Sequence, residues 1–373
     1  LGEEVAYRLC PRFGLSPAET ETVAWLVRWH LHMSNTAFRR DLSDPKTISD
    51  FAEQVASLER LHLLLMLTVV DIRAVGPGVW NSWKRQLLTT LFEAAEELLR
   101  LGHKQSGRHE RVEEIQAQLA ARLEWDKARF AHFAGRLPDS YWLAEPIEVL
   151  EHNARFVDEA ARMGEKAKPL WTGVQKERGA TLLTVYSHDR PGLFYRIAGA
   201  ISLVGANIID ARIHTTSDAM ALDNFLIQDA AGLPFADRHQ LRRLEENVAA
   251  AAAGAEPRLD QLEAKSLPLT RAEAFPIQPA VFIDNEASSR YTVVEVNARD
   301  RAALLSSLAL AVFQSRATIH SAHVATYGER AVDVFYLTSF EGGKITQPAR
   351  LKALQARLLE AAGEGRKEPL KAA

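Results

Sequence analysis

At 373 residues, with 47% hydrophobic and 25% charged side chains, the chain has material for two to three domains of roughly 150 residues each. Its 45 Lys and Arg against 48 Asp and Glu leave a net charge of −3, which excludes a strong overall field toward nucleic acid or anionic lipid. One cysteine, Cys10, excludes an intramolecular disulfide and a thiolate zinc cage, and fits a reducing, cytoplasmic setting.

The chain opens on helical text at Leu1 with no initiator Met, and reads as a piece of something longer. The expectation is neither a secretory leader nor a membrane span, since the apolar run at 63–67 falls far below the roughly 20 residues that a span needs. Ser16-Pro17-Ala18-Glu19 combines a cap, a first-turn proline and a capping-box glutamate, which predicts a helix running to about Met33. Within it Val23, Leu26, Val27 and His30 follow the i, i+3, i+4, i+7 spacing, so His30 is expected on the core face.

A second helix start stands at Asp44-Pro45-Lys46. Residues 58–70 are apolar almost all round and predict a buried helix, with Asp71 following Leu64 and Leu67 on its face. A carboxylate and an imidazole so placed form a structural hydrogen bond with each other, cap a helix end or bind a metal, and two ligands alone do not make a metal site. Gly76-Pro77-Gly78 breaks the pattern and Asn81 suits the next cap. Helical text follows at 83–101 and 110–133, so the first ~165 residues read as all-helical. Arg73 and Lys84, with Arg39 and Arg40, are candidate phosphate contacts or ordinary solvated surface.

The texture changes after Gly179. A strand at 181–186 leads into Asp189-Arg190-Pro191-Gly192-Leu193 and a helix to Leu203; two strand-like runs at 207–215 and 220–227 and a helix at 238–253 follow. The loop at Gly192 permits close backbone approach and feeds a helix N-terminus, which suits a small anionic ligand or a plain strand-to-helix turn. His188-Asp189 sits at a strand end and is not expected to hold a metal. Residues 280–283 offer a closing strand, giving βαββαβ. The pattern then recurs, with Asp189 matching Asp300 and Ile208 matching Ile319, so two copies of one α+β unit are present. The second copy lacks a convincing final strand after Gly363.

Five strings carry a resemblance: WLVRWHLHMS (25–34), the RRD and DP segment (39–45), TVVDIRAVGPGVWNSWK (68–84), SHDRPGLFYRIAGAI (187–201) and IHSAHVATYGERAVDVFY (319–336). Through them the chain resembles the C-terminal part of the bifunctional uridylyltransferase/uridylyl-removing enzymes that modify the PII nitrogen-regulatory protein. The resemblance implies a multidomain fold: an incomplete all-α HD-type phosphohydrolase domain at 1–168, then two ferredoxin-like ACT domains at 179–288 and 289–368. It implies that His30 and Asp71 belong to a divalent metal set, Mg²⁺ or Mn²⁺, whose other ligands precede Leu1, and that metal-activated water cleaves UMP from a PII tyrosine. It also implies L-glutamine as effector at Asp189, Arg190, Gly192, Leu193, Asn207 and Ile208, with homo-oligomerisation through the ACT domains. The second copy departs from the pattern, with Asp300-Arg301-Ala302-Ala303 in place of Pro-Gly and Arg316 opposite Gly205. The alternatives are a tandem amino-acid-binding module without catalysis and, less favoured, a guanosine-tetraphosphate hydrolase fragment, which does not carry the WNSWK string.

Overall fold

The computed structural model describes residues 2–42, 44–75, 80, 82–101, 108–164, 169–175, 179–257, 277–301, 303–327 and 330–363. The chain divides into two compact units, Leu1–Gly107 and Arg108–Ala373. The first is helical: α1 (Gly2–Leu9), a 3-10 turn (Cys10–Phe13), α2 (Pro17–Trp29), α3 (His32–Arg39), α4 (Pro45–Val55), α5 (Leu58–Ala74) and α6 (Ser82–Leu101). Local chemistry sets these boundaries. The Glu19 amide donates to Ser16 Oγ at 3.3 Å while the Ser16 amide donates to the Glu19 carboxylate at 2.7 Å, a complete capping box. Asp44 caps α4 from the side chain, with Pro45 in the first turn.

Two expectations change here. The helix from Pro17 does not continue to Met33: it ends at His30, and α3 starts again at His32. The run 58–70 does not give a helix buried all round. α5 buries Leu61, Leu64, Thr68 and Ile72, which leaves Met66 57% and Val70 64% exposed. The buried stripe packs on Met33, Phe51, Leu88 and Leu91, and one stripe is all that a helix needs for such a core.

In the second unit come α7 (Arg108–Leu123), α8 (Lys127–Ala134), α9 (Asp139–Ala144) and α10 (Ile147–Met163). The helical text at 110–133 is broken where Glu124 takes φ 54° and Asp126 caps α8. These four helices belong to the same compact unit as the sheet. The reason is packing: Tyr141, Trp142, Leu150 and Val157 share a core with Leu222 and Tyr186 of the sheet.

That sheet is antiparallel and eight-stranded: β1 (Leu170–Gln175), β2 (Ala180–His188), β3 (Asn207–Arg212), β4 (Met220–Gln228), β5 (Ala280–Asp284), β6 (Thr292–Arg299), β7 (Ala317–Tyr327) and β8 (Arg330–Ser339), in the order β1-β2-β4-β3-β7-β8-β6-β5. Helices α11 (Leu193–Leu203), α12 (Arg238–Ala252), α13 (Leu304–Gln314) and α14 (Pro348–Gly363) complete two repeats that share one apolar core. Among the described residues each repeat runs ββαββα rather than βαββαβ. Residues 280–283 do not close the first copy; β5 pairs with β6 and supplies the second copy's outer strand, as β1 does for the first. The expectation of no final strand after Gly363 falls on residues outside the described ones; the outer strand seen in the second copy is β5.

The repeats keep one backbone where their sequences differ. Ala303 and Arg316 hold φ 61° and 57°, matching Gly192 at 79° and Gly205 at 81°. A side chain in the left-handed region costs about 1–2 kcal/mol, more than the entropy that glycine loses. Arg316→Gly, at an exposed position, should therefore raise stability by about 0.5–1 kcal/mol, read as a higher midpoint in thermal or urea unfolding.

Candidate functional site

The end of β2, the α11 N-terminus and the second repeat enclose a cavity of about 390 Å³. Its floor comes from the first copy: Asp189, Arg190, Pro191, Gly192 and Leu193 of the loop, with Ile213 and Thr215 after β3 and Asp223 on β4. Its opposite wall comes from the second: Ala309, Val312 and Phe313 of α13, and 317–320 at the start of β7. The predicted loop residues Asp189, Arg190, Gly192 and Leu193 stand together here. Asn207 and Ile208 do not line the cavity; their places are taken by Thr318 and Ile319, the matching positions of the other copy. Asn207 is exposed and pairs with Gln228, while Ile208 lies in the core. The pairing of β3 with β7 explains the exchange, because it sets the first copy's loop against the start of β7 rather than against its own β3.

The loop is held by its neighbours. Arg190 donates to the Ala253 carbonyl at 2.9 Å, Thr215 Oγ1 donates to Asp189 at 3.1 Å, and Leu193 N closes on Arg190 O at 3.0 Å. Glu256 accepts from Tyr195 Oη at 3.0 Å and from Arg196 at 2.6 Å, clasping the first turn of α11. Gly192 caps α11 without a side-chain oxygen. A Cβ there would meet Tyr195 Cε1 at 2.3 Å, so the glycine is required by the turn itself as well as by any ligand.

Two titratable groups on the cavity wall are perturbed. Burial pushes the Asp223 carboxyl well above the usual range, and the nearby Asp189 charge adds to this against one hydrogen bond from the His214 backbone. Burial lowers the His320 imidazole to about 4, with His214 and Arg290 contributing; its Nε2 lies 2.9 Å from Thr338 Oγ1. Sequence reasoning missed Asp223. The signal was present in the repeat, where Ala221-Leu222-Asp223-Asn224-Phe225 aligns with Ala331-Val332-Asp333-Val334-Phe335, an acid twice inside an apolar strand.

On the other sheet face His214, between two cavity residues, lies 3.2 Å from the buried Glu145, which also accepts from Asn224 at 2.9 Å. Burial alone would raise the Glu145 carboxyl, but the His214 bond, the Arg212 and His214 charges and Asn224 hold it below its ordinary value.

In the first unit His30 and Asp71 are both exposed, contrary to their expected burial. The buried side of α2 carries Thr20, Ala24 and Trp25, which turns His30 outward with Val27 and Leu31. Asp71 lies outside the buried stripe of α5. His30 Nδ1 is 2.8 Å from the Val27 carbonyl, so with the proton there Nε2 is left as an outward-facing donor to a metal. Among the described residues no three His, Cys, Asp or Glu side chains are grouped as a metal site. His32, given no role from sequence, stacks on Phe51 with ring centroids 5.1 Å apart. Arg73 is exposed, and Lys84 is half-buried with Nζ 5.8 Å from the Phe38 ring centre. Gly76-Pro77-Gly78 and Asn81 lie outside the described residues.

No family model matches the chain. It is 55% identical over 362 residues, 97% of its length, to the bifunctional uridylyltransferase/uridylyl-removing enzyme of Novosphingobium aromaticivorans. It is 52% identical over 373 residues to that of Erythrobacter litoralis and 46% over 365 to that of Azospirillum brasilense. It spans only 39–40% of the length of these curated relatives.

Proposed function

We propose, for a chain that belongs to the family of bifunctional uridylyltransferase/uridylyl-removing enzymes as their C-terminal part, that it regulates UMP addition to and removal from the PII protein. Its two repeats are ACT-type sensors of L-glutamine, and its first unit is part of an HD-type uridylyl-removing domain, in a cytoplasmic enzyme that self-associates through the repeats. The observation that carries the reading is the cavity shared by the two copies. It sets the Asp189 to Leu193 loop, whose helix N-terminus suits a carboxylate, against an apolar wall on α13. Calorimetric titration of the 373-residue chain with glutamine, glutamate and 2-oxoglutarate tests it: binding that favours glutamine supports the sensor, and equal or absent heats overturn it.

His30 and Asp71 suit part of a divalent-metal set, an imidazole tautomer fixed by a carbonyl and a carboxylate open to solvent. A metal held there needs further donors from the longer enzyme and would supply an activated water for phosphodiester hydrolysis. Because Asp71 is exposed, Asp71→Ala in the full-length enzyme should abolish UMP removal while uridylyl transfer survives and stability changes by less than about 0.5 kcal/mol. Paired activity assays and a melting curve check this. Loss of both activities with a lowered midpoint would assign Asp71 to structure instead.

A further inference from the structure

We propose that Asp223 is the residue that makes this cavity select ligands bearing a protonated amine. The inference rests on the reading of the cavity as an amino-acid site and names the group that recognises the ammonium. Asp223 is 1% exposed, lines the cavity, and its Oδ1 has no hydrogen-bond partner among the described residues. A buried carboxyl oxygen left so is costly unless something completes it, and a primary ammonium offers three donors and the opposite charge.

The surroundings leave that role to the ligand. Asp189 on the loop is also acidic and is already engaged by Thr215. Arg190 is turned to the Ala253 carbonyl. His320 on β7 is held uncharged by burial near neutral pH, and α13 presents only Ala309, Val312 and Phe313. Among the described residues lining the cavity the one Arg or Lys, Arg190, is thus tied to the loop, and apart from Asp189 and Asp223 the lining is apolar or neutral. In the empty cavity the carboxyl favours its neutral form, since burial and Asp189 both oppose ionisation. When an ammonium enters, the carboxyl proton leaves to solvent and the new carboxylate pairs with the ligand. Amine binding is therefore coupled to proton release.

The test compares L-glutamine with 4-carbamoylbutanoate, which is glutamine without its amine, on the 373-residue chain and on Asp223→Asn. Titration in buffers of different ionisation enthalpy counts the protons. The unaltered chain should prefer glutamine by roughly 10- to 100-fold and release protons on binding it, whereas Asp223→Asn should bind the two ligands about equally with no release. Ligand-free Asp223→Asn should melt no lower than the parent, the opposite of what loss of a structural hydrogen bond does. A folded Asp223→Asn that keeps the amine preference overturns the inference and leaves the glutamine reading standing. A parent that binds no amino acid overturns both. Should Asp223→Asn fail to fold, Asp223→Ser is judged by the same criteria, and failure of both marks the carboxyl as structural and overturns the inference.

Discussion

Glu145→Ala should destabilise the second unit by about 3–5 kcal/mol, because it leaves two buried donors without their acceptor, at about 1–3 kcal/mol each. Glu145 is buried at the α9–α10 corner and is the common acceptor for His214 and Asn224. Without it both donors lose their partner, and the helical corner loses its polar attachment to the sheet. Glu145→Gln keeps an acceptor oxygen and should cost less. Because the folded carboxyl is held below its ordinary value, its contribution is present above the unfolded value and is lost as pH falls below about 4.5. Urea unfolding of parent and variants at pH 7 and pH 4 measures both effects: the gap between parent and Glu145→Ala should narrow at the lower pH. His214 lies between Ile213 and Thr215 on the cavity wall, so Glu145→Ala should also weaken ligand binding there.

Asp333→Asn should act in the opposite direction. Burial, with the Asp300 charge, raises the Asp333 carboxyl to about 8, and its Oδ1 has no partner among the described residues. The folded state then holds a proton that the unfolded chain releases above about pH 4, so stability falls as pH rises from there to about 8. The variant carries no such titration. It should match the parent near pH 4 and exceed it by at least about 1 kcal/mol at pH 8, a rise of roughly 2–4 °C in melting temperature. A variant that melts lower than the parent at pH 8 would show that the carboxylate is satisfied in the folded state.

What the sequence disclosed followed from short-range chemistry. The capping box at Ser16 and the turn at Gly192 were legible because each is a local pattern with one physical solution, and the recurrence of Ile208 at Ile319 because two copies of one unit repeat their local patterns. The outer strand of each repeat was not: residues 280–283 lie between the copies in the chain, and only pairing with β6 decides which sheet edge they join. His30 and Asp71 were placed on the wrong faces because α2 and α5 carry apolar residues on more than one side, and periodicity cannot say which stripe meets a core. The cavity lay beyond sequence reading for a related reason. Its two walls are about 110 residues apart in the chain, and the pairing of β3 with β7 is what sets the first copy's loop against the start of β7.

The seam between the repeats is a ladder of three residue pairs, Asp210 with His323, Ala211 with Ala322 and Arg212 with Ser321, against eight between β2 and β4. An unpaired strand edge is a template on which a foreign chain can add itself. Within this chain β3 and β7 cover one another, so each copy is the other's guard against indiscriminate association. A repeat cut out alone would carry a bare edge, shaped by its own fold to accept the matching strand of a second molecule. Tandem duplication on one polypeptide therefore settles at synthesis a choice of partner that separate copies would have to make by collision, and it brings both cavity walls together at a concentration independent of how much protein the cell holds.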